Sequence, residues 1–230
     1  MKINSVFGQS LLAAACLSLA LPASAFDLND PPLETPEGLR LVPDSKMALV
    51  YADPEADLSV YRKIYLVDAT VAFRKNWERD QRRGSGSAMG IRSSDIEKIK
   101  DRLANEFNEV FRTELEEHGY EITDVAADDV MIVRPAIINL DVTAPDIPTA
   151  GRSRTYTQSA GEMTLYVELI DSVTGDTFVK AMDRKAERPT NYYTWSNSAT
   201  NASAARRILR GWAEILREAL EEARGDLSEE

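Results

Sequence analysis

The hydrophobic patterning of this chain predicts an α+β fold. The form expected is a two-layer sandwich, a mostly antiparallel or mixed sheet of four to five strands with two long helices on one face. Three observations carry that expectation. Residues 94–118 and 204–223 repeat apolar side chains every three or four positions, the period of an amphipathic helix. Residues 130–142 and 162–185 carry the apolar runs and strict alternation of strands, the second segment folded about a turn. The elements also come in the order β-α-β-β-β-α, without the regular strand–helix alternation of a doubly wound sheet.

The chain begins with a segment that reads as an export signal. Lys2 supplies a positive start, Ile3 to Leu21 is largely apolar, Pro22 breaks the run, and Ala23-Ser24-Ala25 offers small residues for a signal peptidase. Cleavage is expected after Ala25, leaving Phe26 as the first mature residue. Gln9, Ser10 and Pro22, with no basic cluster following, argue against a membrane anchor. Ala13-Ala14-Ala15-Cys16 also loosely resembles a lipoprotein cleavage box. That box favours Leu where Ala13 stands, and a polar linker where Leu17 to Leu21 is apolar. Cys16 is therefore read as a small apolar residue of the signal, with acylation at Cys16 as the alternative. Cleavage would remove the only cysteine, leaving a mature chain of about 205 residues stabilised by its core and by no disulfide.

Removing Lys2 takes the formal net charge from −11 to −12. Such a balance argues against nucleic acid and anionic membrane surfaces as partners, both of which select basic patches. Membrane contact is expected only if Cys16 is acylated. Two local basic stretches stand out, Arg74, Lys75, Arg79, Arg82 and Arg83 in one and Arg152 with Arg154 in the other.

Residues 26–46 hold Pro31, Pro32, Pro36 and Pro43 and read as an extended lead-in. One domain is expected over residues 47–224, with an acidic tail at 225–230. Met47 to Tyr51 is a short strand, and Tyr61 to Phe73 the first substantial one, rich in β-branched and aromatic residues. Residues 77–93 lose periodicity and, with Gly84, Gly86 and Gly90, read as a loop. Ser94 with Glu97 forms a capping-box signature at the head of the first long helix, whose apolar face runs through Ile96, Ile99, Leu103, Phe107, Val110 and Phe111. Gly119 is the expected cap at its other end. Val130 to Val142 is a long buried strand in which Pro135 suggests a bulge or an edge. Met163, Leu165, Val167 and Leu169 alternate along the next strand, and Gly175 supplies the turn into its partner at Thr177 to Lys185. The last helix is expected from about Ala204 to Ala223, its stripe including Ile208, Leu209, Trp212, Ile215 and Leu216.

Several short pieces, taken in order, resemble a known family. They are Gly38-Leu39 with Val42-Pro43 and Ser45; Val50-Tyr51 with Pro54, Asp57-Leu58-Ser59 and Tyr61; then Phe73 and Trp77. Gly161-Glu162 through Glu168, Asp171, Thr174-Gly175 and Asp183-Arg184-Lys185 continue the match, and Trp212-Ala213 with Leu216 close it. The chain resembles domain of unknown function 3313, a family of bacterial exported proteins and lipoproteins, over about residues 36–220. The resemblance implies an envelope location and a mixed α+β fold. It supplies no activity, so no residue role follows from it.

Catalytic chemistry is thinly supplied. His118 is the only histidine and sits at a helix end, where bonding to the last carbonyls explains it. One histidine and no mature cysteine leave no metal site, and no cofactor is expected. Glu162, Glu168, Asp171 and Asp183 are candidates for paired-carboxylate work, but Glu162 and Glu168 fall on the strand face opposite the apolar set, which predicts a solvated face. The glycines at 84, 86 and 90 lack the Gly-Lys-Ser/Thr of a phosphate loop, and Asp124, Asp128 and Asp129 lack the glycine and final glutamate of a calcium loop.

The residues singled out for binding are Arg152, Arg154 and Tyr156 in one polar loop and Tyr192, Tyr193 and Trp195 in another. Arginine and aromatic side chains in loops are what binding surfaces favour. The function expected is a non-enzymatic binding or assembly protein of the periplasm whose partner is another envelope protein. The alternative is a domain that recognises a saccharide or lipid head group, and for location an outer-membrane lipoprotein. A concave pocket between the two loops would favour the alternative, and a free sheet edge the protein partner.

Overall fold

A computed structural model describes residues 30–84, 91–143, 155–157, 161–187, 194–196 and 198–225. Cys16, Ala25 and Phe26 lie outside the described residues. From Pro32 onward the chain forms one compact unit.

The elements in chain order are β1 (Arg40–Leu41), β2 (Leu49–Ala52), β3 (Lys63–Leu66), β4 (Thr70–Phe73), α1 (Trp77–Gly84), α2 (Ser93–Glu117), β5 (Glu121–Ile122), β6 (Val130–Val142), β7 (Thr155–Thr157), β8 (Gly161–Asp171), β9 (Thr177–Ala186), β10 (Thr194–Ser196) and α3 (Ser198–Arg224). Eight strands make one mixed sheet in the order β1-β2-β9-β8-β6-β3-β5, with β4 also on β6; β7 and β10 form a separate two-stranded ribbon. The α+β class and the two long helices are as the sequence predicts. The four to five strands expected undercount the sheet, because β1 and β5 are only two residues long and leave no periodicity to read.

Three further readings need correction. Tyr61 to Phe73 is not one strand but two, β3 and β4, which lie end to end and pair in parallel with successive stretches of β6. That break explains Pro135. It sits within the long central strand, neither at an edge nor in a bulge, at the place where the outer partner changes from Leu66↔Val133 to Thr70↔Ala136. A missing N–H there costs no ladder bond. The bulge falls instead between Ile138 and Asp141, where Asn139 takes a φ of 53°. Residues 77–84, expected as loop, form α1, anchored by Trp77, which is 1% exposed, stacks on Phe73 at 3.9 Å and donates to Val142 O at 3.1 Å. Its single buried anchor gives no repeating apolar stripe.

At the head of α2 the helix starts one residue before Ser94, and Asp95 rather than Glu97 reaches back, accepting from the Arg92 N–H at 3.3 Å. Glu97 pairs with Lys100 instead. The far end is as expected: Tyr120 N–H reaches Leu115 O at 3.0 Å, and the His118 ring contacts Glu114 O at 2.7 Å. The last helix begins six residues before Ala204, at Ser198.

Both long helices pack on one sheet face. Strand alternation presents Met163, Leu165, Val167 and Leu169 of β8 to them, with Met131, Val133 and Ile137 of β6 alongside. Phe107 and Phe111, stacked at 3.9 Å, and Leu209 and Trp212 fill the space between sheet and helices. Truncating any one of these fully buried side chains to Ala would cost about 2–5 kcal/mol. Gly175 makes the turn between β8 and β9 at a φ of 78°. On the other face the lead-in packs back: Leu39 joins Leu49 and Tyr51, the Tyr51 hydroxyl donates to Pro32 O at 2.8 Å, and Glu37 pairs with Lys180 at 2.8 Å.

Candidate ligand-binding slot

The elements converge at one end of the sandwich. There β6 finishes, β8 begins, β9 finishes, and the first turns of α2 and α3 stand over them. Between the two helices and the sheet lies a cavity of about 140 Å³. Leu140, Val142 and Met163 form its floor; Ile99 and Leu103 of α2 and Ala204, Ala205 and Ile208 of α3 form its walls. Small residues on α3 create the space. Three alanines at 202, 204 and 205 stand where larger side chains would close the gap between helix and sheet.

The floor depends on one residue. Gly161 opens β8 with a φ of 138°, and a Cβ there would come 1.8 Å from the Asp141 carbonyl oxygen. Only glycine lets β8 cross the end of β6 this closely.

The mouth is polar. Glu106, Asp141, Glu162 and Glu187 stand around it with Arg102 and Asn201. Each of the four carboxylates has an arginine partner. Glu106 is bound by Arg206 and Glu187 by Arg207; Glu162 meets Arg184 at 2.5 Å, and Asp141 meets Arg74 at 2.6 Å. Arg74 also holds Asp80 at 2.8 Å, and its guanidinium depresses the Asp80 carboxyl below its ordinary range. Arg102 is exposed and has no carboxylate partner among the described residues.

The carboxylates weighed as catalytic pairs do not meet. Glu168, expected on a solvated face, is 7% exposed, bound by Arg134 at 2.5 Å and by the Tyr166 hydroxyl at 2.6 Å. Burial and that hydrogen bond push the Tyr166 hydroxyl well above its ordinary pKa. Alternation had placed Glu168 correctly on the far face, but lateral neighbours on a wide sheet bury it. Asp183 lies on the helix-facing side, where it accepts from Trp212 Nε1 at 2.7 Å and from the Ala48 N–H at 3.1 Å, with Lys185 Nζ 3.8 Å away. Asp171 pins the hairpin turn, taking the Val173 and Thr174 amides and the Tyr61 hydroxyl at 2.6 Å. That hydroxyl, then the Thr174 amide, hold its carboxyl below the usual range. Among the described residues no cluster of three His, Cys, Asp or Glu is arranged to hold a metal.

Of the six residues singled out for binding, Arg152, Arg154, Tyr192 and Tyr193 lie outside the described residues. Tyr156 and Trp195 are brought together: β7 and β10 pair antiparallel with Tyr156 directly opposite Trp195. The described parts of the two loops, β7 and β10, are thus paired with each other. The slot itself escaped the sequence reading. Its walls are ordinary stripe residues, and the only trace in the sequence is the run of small residues in the first turns of α3.

Among the described residues, no helix is long and apolar enough to cross a membrane. No curated protein matches the chain. Solved structures that align with it include a protein from Xanthomonas campestris of family DUF330 (19% identity, covering 76% of this chain and 92% of that one, TM-score 0.36). Others are the PelC dodecamer from Paraburkholderia phytofirmans (12% identity, 73% and 96%, TM-score 0.35) and a minor lipoprotein from Acinetobacter baumannii (9% identity, 73% and 96%, TM-score 0.34). Likenesses of that degree say nothing of what this chain binds. The family model described as Protein of unknown function (DUF3313) matches residues 38–216, spanning the sheet, α2, most of α3 and the slot, and the chain belongs to that family.

Proposed function

We propose that the mature chain is an exported, non-enzymatic binding protein of the cell envelope, and that the slot between α2 and α3 receives the apolar part of its ligand. The observation that carries this reading is the slot's composition, an aliphatic interior of about 140 Å³ under a polar rim. A cavity of about 150 Å³ lined by aliphatic side chains accepts a benzene-sized guest, so this one has room for a group of that size. Export is supported by the order of parts in residues 1–25, and binding rather than catalysis by the commitment of the rim carboxylates to arginine partners. The pairing of β7 with β10, which sets Tyr156 opposite Trp195, favours a ligand over a partner docked along a sheet edge.

The test is a titration of residues 26–230 with N-phenyl-1-naphthylamine, a neutral fluorophore that brightens in apolar surroundings. Saturable binding of one probe per chain is expected. Ala202→Trp should abolish it, because Ala202 is exposed at the slot and a tryptophan there covers the opening without disturbing the core. Enhancement that never saturates, or that survives Ala202→Trp unchanged, would refute the reading.

A further inference from the structure

Resting on the slot as a binding site, we infer that its ligand is a single-chain anionic amphiphile, a medium-chain fatty carboxylate whose tail fills the slot and whose head meets Arg102.

Two features select this chemistry. The interior is aliphatic and short, so the group it takes is a hydrocarbon of about six carbons, the size of a benzene ring. The rim decides the charge. Its carboxylates would repel an anion if they were free, but each is paired with an arginine: Glu106 with Arg206, Glu162 with Arg184, Glu187 with Arg207, and Asp141 with Arg74, which it shares with Asp80. Arg102 is left over. It lines the slot from α2, one turn along from Ile99, exposed and without a carboxylate among the described residues. A guanidinium beside an apolar opening offers a planar fork of donors that a carboxylate matches in shape and charge. An ammonium head would find no uncompensated anion there. Among the described charged residues lining the slot, Arg102 is the one with no opposite charge at ion-pair distance.

The depth of the slot adds a second signature. Each methylene that enters it should strengthen binding about fourfold. The gain should stop once the slot is full, because further carbons must lie in water.

The experiment displaces N-phenyl-1-naphthylamine from residues 26–230 at low ionic strength with butanoate, hexanoate, octanoate and decanoate, and with octanol and octylamine. Octanoate should compete about fivefold or more better than octanol, and octylamine worse than either. Affinity should climb from butanoate and level off near octanoate. Arg102→Gln, an exposed substitution that leaves the fold intact, should remove the advantage of octanoate over octanol while octanol itself is unchanged. Equal competition by octanoate, octanol and octylamine, or an Arg102→Gln variant that keeps the preference, would overturn the carboxylate assignment and leave the slot standing. Failure of every amphiphile to displace the probe would overturn both.

Discussion

Asp183 and Trp212 join the last strand of the sheet to the last helix through one buried hydrogen bond, and a double-mutant cycle on this pair measures how much that junction holds. The indole N–H donates to Asp183 Oδ2 at 2.7 Å, with Trp212 1% and Asp183 8% exposed. A hydrogen bond to an ionised acceptor contributes about 1.5–3 kcal/mol. Trp212→Phe removes the donor and leaves part of the indole's space empty, for a total of about 3–4 kcal/mol. Asp183→Ala orphans two donors, the indole and the Ala48 N–H, but also relieves a carboxylate of its burial, for about 2–4 kcal/mol. In the double variant the penalties should not add. A coupling of about 1.5–3 kcal/mol is expected from urea unfolding curves with unchanged slopes. A coupling below about 0.5 kcal/mol would show that packing of the ring, and not its N–H, fastens the helix, and would refute the reasoning.

Two further substitutions test other parts of the fold. Tyr61→Phe removes the hydroxyl that holds the Asp171 carboxyl below its usual value; a depressed folded value contributes stability above the unfolded value and loses it as pH falls through the folded one. The variant should therefore be about 1 kcal/mol less stable than the parent at pH 7, with the difference shrinking below about pH 4, as read from thermal melts across that range; a gap independent of pH would assign the loss to packing alone. Gly161→Ala places a Cβ against the Asp141 carbonyl in a left-handed conformation and should cost about 3 kcal/mol or more, lowering the melting temperature and abolishing probe binding together.

Long periodic elements were legible in the sequence, and their partners were not. Val130–Val142, the Asp171–Asp176 turn and the apolar faces of α2 and α3 follow from local pattern alone, since each has enough residues to repeat its period. What failed was short or non-local. β1 and β5 exist only because a neighbouring strand offers a ladder, and α1 is anchored by one buried tryptophan with polar contacts from Asp80 and Gln81. The split between β3 and β4 is set by β6, more than sixty residues away in the chain. Glu168 shows the same limit, since alternation gives a side chain's face but not the width of the sheet around it. The slot was invisible for a related reason, being defined by what Ala204 and Ala205 leave unfilled once α3 lies across the end of β6.

The pairing pattern of the sheet also fixes the order in which this chain can fold as it emerges from the ribosome. β2 pairs with β9, and β3 and β4 pair with β6, so each of these early strands must wait for a partner from the second half. Among the described strands two hairpins are local: β1 with β2, a contact of two residue pairs, and β8 with β9, which is extensive but comes late. Closing such distant pairs is slow, because the entropy of the long loop is lost before the contacts return anything. The growing chain thus has only the short β1–β2 contact as an early foothold in its native sheet. For a protein proposed to be exported, that delay is useful: a polypeptide whose β3 and β4 wait for β6, and whose sheet is completed only by β8 and β9, can still be threaded through a narrow channel.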